Sequence, residues 1–156
     1  MKRLIIDCDP GNGIAGANTD DGLALSLALA SPGLSLELIT TVAGNTPSDV
    51  GARVAKDLVT RLGCAVPVVQ GARQALCEDP GPWRAVLDKR VEQLNLLSLW
   101  QGVPQPAMLE ADATDAAQAM GQLICDNPGE ITLIAIGPLT NVALAMQRFP
   151  DMAESV

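Results

Sequence analysis

Short apolar runs alternate with runs of helical hydrophobic period along most of this chain. That alternation builds a parallel sheet covered by helices, because each crossover between parallel strands needs a helix-length connection. The predicted strands are residues 4–6, 36–42, 66–69 and 131–136. The predicted helices are residues 21–30, 48–62, 83–94, 115–125 and 139–149, the first of them capped by Thr19 or Asp20. We therefore expect an α/β fold, a mostly parallel sheet with helices on both faces.

The length of 156 residues indicates one domain, so we predict a single α/β domain over residues 1–156. Residues 75–112 interrupt the alternation, since they combine four prolines with the one predicted helix at 83–94. Long excursions inside compact domains are commonly functional or mobile. This segment could be part of a lid over a site or a contact with a partner.

Charge and residue usage exclude several classes of partner. A net charge of −8 argues against a nucleic acid polymer, because phosphate backbones are bound mainly by Lys and Arg. The apolar run after the basic start is too short for a signal peptide or a membrane span, so we expect no membrane partner. Four scattered cysteines and the absence of His indicate neither zinc nor a disulfide framework. Reduced thiols fit a cytoplasmic protein.

Four carboxylates follow the first predicted strand. Asp7 and Asp9 come directly at its end, and Asp20 and Asp21 open the next helix after a glycine-rich stretch. In open α/β sheets, ligands bind outside the carboxyl ends of the strands. Closely packed carboxylates raise one another's pKa unless a cation compensates them, and Ca²⁺ and Mg²⁺ prefer such oxygen ligands. The sequence predicts a hard-cation site here, although Asp20 or Asp21 alone could simply cap the helix.

Two other interpretations of this loop are open. Residues 11–16 read G-x-G-x-x-G after a strand, as in dinucleotide sites, but the glycines precede the predicted helix start by several residues. The Asp7-x-Asp9 pair is also typical of haloacid dehalogenase-type phosphatases, in which one Asp is a nucleophile. That interpretation leaves Asp20 and Asp21 without a role and finds no clear later lysine.

Three segments lie at predicted strand ends: residues 7–11 (DCDPG) with 20–25 (DDGLAL), residues 40–45 (TTVAGN), and residues 134–141 (IAIGPLTN). Together they resemble motifs of the inosine-uridine preferring nucleoside hydrolase family, in the same order. These are the family's D-x-D-P-G-x-D-D-A motif, its T-T-V-x-G-N strand end and its G-P-L-T-N turn. The resemblance implies a nucleoside hydrolase-like fold with a Rossmann-like core.

The resemblance also implies a Ca²⁺ site. Asp9 and Asp21 would be ligands, Ile136 would contribute its backbone oxygen, and Asp7 would support them. Asp9 would act as general base on the attacking water, whose pKa the cation lowers. The implied reaction is hydrolysis of the N-glycosidic bond of ribonucleosides to free base and ribose.

The substrate would be a small-molecule ribonucleoside. By the resemblance, Asp20 and Asn45 would bind ribose hydroxyls. N-glycosidic cleavage passes through a cation-like ribosyl species, which a carboxylate-rich pocket stabilises. From turn preferences alone, Asn45 could equally be a turn residue after a strand, and we expect Thr140 and Asn141 to cap the last helix.

The chain departs from the family pattern in two respects. Residues 12–19 stand where the common motif has one residue, so we expect this insertion to bulge outward. Family members are about twice as long, so the chain corresponds to an apparently truncated N-terminal half. Segments that supply a further aspartate ligand, ribose contacts and a histidine near the base would lie elsewhere.

A truncated parallel sheet exposes an unpaired strand edge, so we expect self-association, as a homo-oligomer. The alternative of a non-catalytic metal-binding or interaction fragment stays open. The sequence does not indicate base preference.

Overall fold

The computed structural model describes residues 1–156, which form one five-stranded parallel sheet and the helices that cover it. The strands are β1 (Lys2–Cys8), β2 (Leu34–Thr41), β3 (Val68–Gln70), β4 (Ala113–Thr114) and β5 (Ile131–Ala135). Their order across the sheet is β4-β3-β2-β1-β5, and every neighbouring pair is parallel. The parallel sheet predicted from the alternation is confirmed.

Six α-helices connect the strands, together with a 3₁₀ turn at Leu97–Trp100. They are α1 (Asp20–Ala30), α2 (Ser48–Arg61), α3 (Gly81–Gln93), α4 (Ala116–Cys125), α5 (Thr140–Arg148) and α6 (Met152–Ser155). None of them combines the length and the apolar character needed to cross a lipid bilayer.

Successive residues of β1 pack into two separate cores, one on each face of the sheet. Ile5 packs with Met120 and other side chains of α4, α5 and α6, whereas Ile6 packs with Leu25 and the apolar faces of α1 and α2. The same division holds along β2, where Leu38 faces the first group and Ile39 the second. Side chains alternate between the faces of a strand, so a strand buried on both sides reads as a continuous apolar run. Helices cover both faces, as predicted.

Three features of the fold differ from the sequence predictions. The third strand lies at residues 68–70 rather than 66–69, because Pro67 has no N–H to donate, and the ladder begins where the carbonyl of Pro67 accepts from Ile39 at 3.0 Å. The two-residue strand β4 was missed, since so short a run carries no periodicity. The four-residue helix α6 was missed for the same reason.

The register of the sheet places three strand ends side by side. Asp7 of β1 pairs with Thr40 of β2 on one side and with Ala135 of β5 on the other. The segments that follow β1, β2 and β5 therefore leave the sheet together at its carboxyl edge. These are the three segments that the sequence singled out.

Candidate active site

Asp9 and Asp21 are brought together at this edge. Asp9 follows β1, Asp21 lies in the first turn of α1, and Oδ2 of Asp21 accepts a hydrogen bond from the main-chain N–H of Asp9 at 2.6 Å. Only 8% of Asp9 and 6% of Asp21 are exposed. Burial raises the pKa of Asp21, the N–H of Asp9 opposes the rise, and the Asp9 carboxyl adds to it. The insertion at residues 12–19 therefore does not separate the pair.

The turn after β2 fixes the Asp9 carboxylate. The main-chain N–H of Asn45 donates to Oδ2 of Asp9, and the Asp9 carbonyl accepts from Nδ2 of Asn45 at 3.2 Å and from Oγ1 of Thr46 at 3.4 Å. A Cβ atom on Gly44 would lie 1.9 Å from Oδ2 of Asp9. The close approach of this turn to Asp9 therefore requires glycine at position 44.

Asp7 is turned away from the pair. Its Oδ1 accepts from Oγ1 of Thr40 at 2.6 Å and from Nδ2 of Asn141 at 2.8 Å, while Oδ2 is buried without a partner. Burial raises the pKa of Asp7 to about 6, although the two hydrogen bonds lower it. Asp7 therefore connects β1 to β2 and α5 instead of facing Asp9 and Asp21.

Asn141 has a role that the sequence analysis missed. It is buried, its Oδ1 accepts from the N–H of Ala72 at 2.8 Å, and its Nδ2 also donates to the carbonyl of Thr41 at 3.0 Å. The predicted capping role was wrong, because Leu139 occupies the N-cap position of α5 and no side chain bonds there. These partners are distant in sequence, so only the G-P-L-T-N segment itself drew attention to the residue.

The remaining predicted site residues surround the Asp9–Asp21 pair. Asp20 is exposed at the first position of α1, and Thr19 at the N-cap makes no side-chain capping bond. Ile136 donates its N–H to the carbonyl of Asp7 at 2.9 Å, and its own carbonyl accepts no hydrogen bond. A Cβ atom on Gly137 would lie 3.3 Å from the nitrogen of Asp9, so the turn after β5 packs against the Asp9 backbone.

Fewer carboxylates meet at this edge of the sheet than the four that the sequence predicted as a cation site. No group of three or more His, Cys, Asp or Glu side chains lies within common reach of one ion. Asp9 and Asp21 are buried and offer carboxylate oxygens, which suit a hard cation. The carbonyl of Ile136, in the turn that packs against Asp9, accepts no hydrogen bond and offers a third oxygen. Burial is the main cause of the raised pKa of Asp21, and the carboxyls of Asp9 and Asp20 add to it; a bound cation would oppose this rise by favouring the charged form. The residues present thus fit such an ion.

The same geometry weakens the two competing interpretations of the loop. Asp7 is inaccessible and bonded to Thr40 and Asn141, so it offers no exposed nucleophile for a phosphatase. The glycine-rich residues 11–16 end before α1 begins at Asp20. A pyrophosphate held by that segment would therefore not lie at the helix N-terminus.

Comparison with known proteins identifies relatives over nearly the whole chain. A family model described as inosine-uridine preferring nucleoside hydrolase matches residues 4–156. The pyrimidine-specific ribonucleoside hydrolase RihA of Enterobacter sp. (strain 638) is 33% identical over 154 residues, which are 98% of this chain and 45% of that protein. The chain thus spans about half the length of the curated relatives it matches.

Two solved structures share the fold. A plant nucleoside hydrolase, the PpNRh1 enzyme, superposes with a TM-score of 0.73 at 32% identity, covering 99% of this chain and 45% of that one. A purine-preferring ribonucleoside hydrolase from Gardnerella vaginalis also gives a TM-score of 0.73, at 26% identity, covering 99% of this chain and 46% of that one. Similarity in sequence and in structure thus extends over nearly all of the chain.

Proposed function

The chain belongs to the inosine-uridine preferring nucleoside hydrolase family, and we propose from this that it hydrolyses the N-glycosidic bond of ribonucleosides to free base and ribose. The observation that carries the proposal is the buried Asp9–Asp21 pair at the carboxyl edge of the sheet. Two carboxylates in a shielded site favour a transition state that is more positively charged than the substrate. Residue 9 is also next to the strand end, where parallel sheets place their ligands.

We propose Ca²⁺ as the cofactor, held by carboxylate oxygens of Asp9 and Asp21 and by the carbonyl of Ile136. The ion, when bound, would polarise the attacking water and the ribose hydroxyls. Asp7, which bonds Thr40 and Asn141, would keep β1 in register with its neighbours and so hold Asp9 in place.

Asp9 is the proposed general base. Its Oδ2 is fixed by the N–H of Asn45, whereas Oδ1 accepts no hydrogen bond from the protein and is free to receive a proton from water. Exposed Asp20 is the proposed partner of a ribose hydroxyl. Asn45 is the second proposed partner of a ribose hydroxyl. Its side-chain amide is bonded to Asn18 within the insertion, so the ribose would have to replace Asn18 as its partner.

The proposal is tested by supplying the chain with uridine, cytidine, inosine and guanosine in the presence of Ca²⁺ or a chelator, and by measuring free base and ribose. We expect Ca²⁺-dependent release of base from at least one nucleoside. The relatives named as pyrimidine-specific and purine-preferring make both classes necessary in the panel. No release from any of them by the folded protein would contradict the proposed activity.

A second candidate is cation binding without hydrolysis, favoured by the fact that the chain covers 45% of the relative's length. In that case Ca²⁺ would bind at Asp9 and Asp21, and no nucleoside would be cleaved. Calorimetry together with the hydrolysis assay separates the two candidates.

We also propose that the chain self-associates. β5 is an edge strand, and Ile134 and Ile136 at its end are 37% and 39% exposed. Unpaired edges with exposed apolar side chains favour pairing with another chain. Light scattering should give a mass above that of one chain, and a monomer at high concentration would contradict this.

A further inference from the structure

Helix α3, which lies within residues 75–112, contacts the turn after β2 that holds Asp9. Arg84 lies in the first turn of this helix, and its Nη1 donates to the carbonyl of Gly44 at 2.7 Å and to the carbonyl of Asn45 at 2.5 Å. Only 18% of the Arg84 side chain is exposed. An arginine far along the chain therefore binds two consecutive carbonyls of the turn after β2.

One peptide group of that turn is bound on both sides. The carbonyl of Gly44 accepts from Arg84, and the N–H of Asn45, which belongs to the same peptide unit, donates to Oδ2 of Asp9. In a trans peptide the C=O and N–H point in opposite directions within the peptide plane, so Arg84 and Asp9 bind opposite edges of the same peptide group. Hydrogen bonds polarise one another along such a chain, and a charged donor on the oxygen strengthens the N–H as a donor.

The other atoms of the Arg84 guanidinium have fewer contacts than Nη1. Nη2 of Arg84 forms an ion pair with Asp88, one turn further along α3, at 2.5 Å. The Trp83 ring centroid lies 6.0 Å from Cζ of Arg84, and Nε is buried without a partner. An exposed i,i+4 ion pair contributes little by itself. The buried contacts with the turn are therefore the stronger reason for the placement of Arg84.

We propose that Arg84 is a positioning residue for the general base Asp9, acting through the Gly44–Asn45 peptide. This inference rests on the proposed nucleoside hydrolase function. Arg84 does not touch the reacting atoms; it fixes and polarises the N–H that orients the Asp9 carboxylate. Residues 75–112 carry none of the family motifs, and through Arg84 they contribute to catalysis.

The test compares Arg84→Gln, Arg84→Lys and the control Arg90→Gln. Arg90 is exposed on the same helix and its side chain makes no hydrogen bond, so its substitution removes the same charge without touching the turn. Misplacement of a catalytic group can lower the rate about 10- to 100-fold. We expect Arg84→Gln to lower kcat by about that factor with KM changed less than about twofold. Lysine keeps the charge and can reach a carbonyl, so Arg84→Lys should recover most of kcat.

Hydrogen exchange of the Asn45 amide, followed by NMR, gives a readout that needs no substrate. Arg84→Gln should accelerate this exchange about tenfold, since one of the contacts that hold the amide in place is lost, while Arg90→Gln should leave it unchanged. Equal loss of kcat in Arg84→Lys and Arg84→Gln, or a change in KM alone, would overturn the positioning role. If the wild-type chain cleaves no nucleoside, the proposed function fails by itself, and unchanged Asn45 exchange in Arg84→Gln would then separately overturn the role of Arg84.

Discussion

The side-chain amide of Asn45 pairs with the main chain of Asn18. Oδ1 of Asn45 accepts from the N–H of Asn18 at 2.9 Å, and Nδ2 of Asn45 donates to the carbonyl of Asn18 at 3.3 Å. Asn18 belongs to the insertion at residues 12–19, and Asn45 is one of the two residues that the family resemblance assigns to ribose. The insertion thus forms hydrogen bonds with the Asn45 side-chain atoms that we propose for ribose binding. A bound ribose would have to displace the main chain of Asn18 from these atoms.

Asn45→Ala should release the insertion without releasing Asp9. The variant loses both bonds to Asn18 and the bond from Nδ2 to the Asp9 carbonyl, whereas the main-chain N–H of residue 45 still donates to the Asp9 carboxylate. We expect hydrogen exchange of the Asn18 amide to accelerate by about tenfold, as measured by NMR. Asn18→Ala is the matched control, because its main-chain bonds remain. Equal exchange at residue 18 in wild type and Asn45→Ala would contradict this pairing.

Gly44→Ala should disrupt the site selectively. The added Cβ would lie 1.9 Å from Oδ2 of Asp9 and 2.7 Å from Cδ of Pro138, so the carboxylate must move. We expect a loss of Ca²⁺ binding in calorimetry and a destabilisation of about 1–3 kcal/mol in urea unfolding. Gly33→Ala is the control, because nothing lies within 4 Å of its added Cβ. Unchanged Ca²⁺ affinity in Gly44→Ala would show that the turn does not fix Asp9.

Asp7→Asn should stabilise the protein in a pH-dependent manner. Burial raises the pKa of Asp7 from an ordinary 3.8 to about 6, so the folded protein binds more protons than the unfolded chain between these values. The contribution of Asp7 to the free energy of unfolding therefore falls as pH rises from about 4 to about 6, and is constant above that. Asparagine imitates the protonated carboxyl and lacks this fall.

Urea unfolding at pH 4.5 and pH 7.5, with chelator present, measures the effect. Relative to wild type, Asp7→Asn should gain about 2 kcal/mol more at pH 7.5 than at pH 4.5. Asp151→Asn, at an exposed position, is the control for removal of one carboxylate. The same difference from wild type at both pH values would mean that burial does not raise the pKa of Asp7 in the fold.

The layout of the fold could be predicted from the sequence because its main elements are long and periodic. The helix predicted at 115–125 is α4 (Ala116–Cys125), and the strand predicted at 131–136 is β5 (Ile131–Ala135). Periodicity marks residues that are buried, and burial extends over most of each element. It does not show where backbone pairing stops, which is why β1 extends to Lys2 and Cys8, beyond the apolar run at 4–6.

The site could be predicted only in part. Asp9 and Asp21 were two of the four carboxylates that follow a strand or open a helix, the family resemblance selected them as ligands, and the structure pairs them. Asp7 has the same local pattern, but its orientation is decided by Thr40 and Asn141, which are 33 and 134 residues away. Arg84 carries no motif at all. Contacts between distant segments depend on how the sheet and helices pack, and no local pattern encodes them.

The central claim is that Asp9 and Asp21 together hold one divalent cation. Calorimetric titration of Ca²⁺ into the wild-type chain and into Asp9→Asn, Asp21→Asn and Asp20→Asn tests it most directly, since Asp20 is the exposed neighbour on the same helix turn. The prediction is one ion per chain, with affinity reduced by about tenfold or more in Asp9→Asn and Asp21→Asn but changed little in Asp20→Asn. No binding by the wild-type chain, or equal affinity in all four proteins, would contradict it.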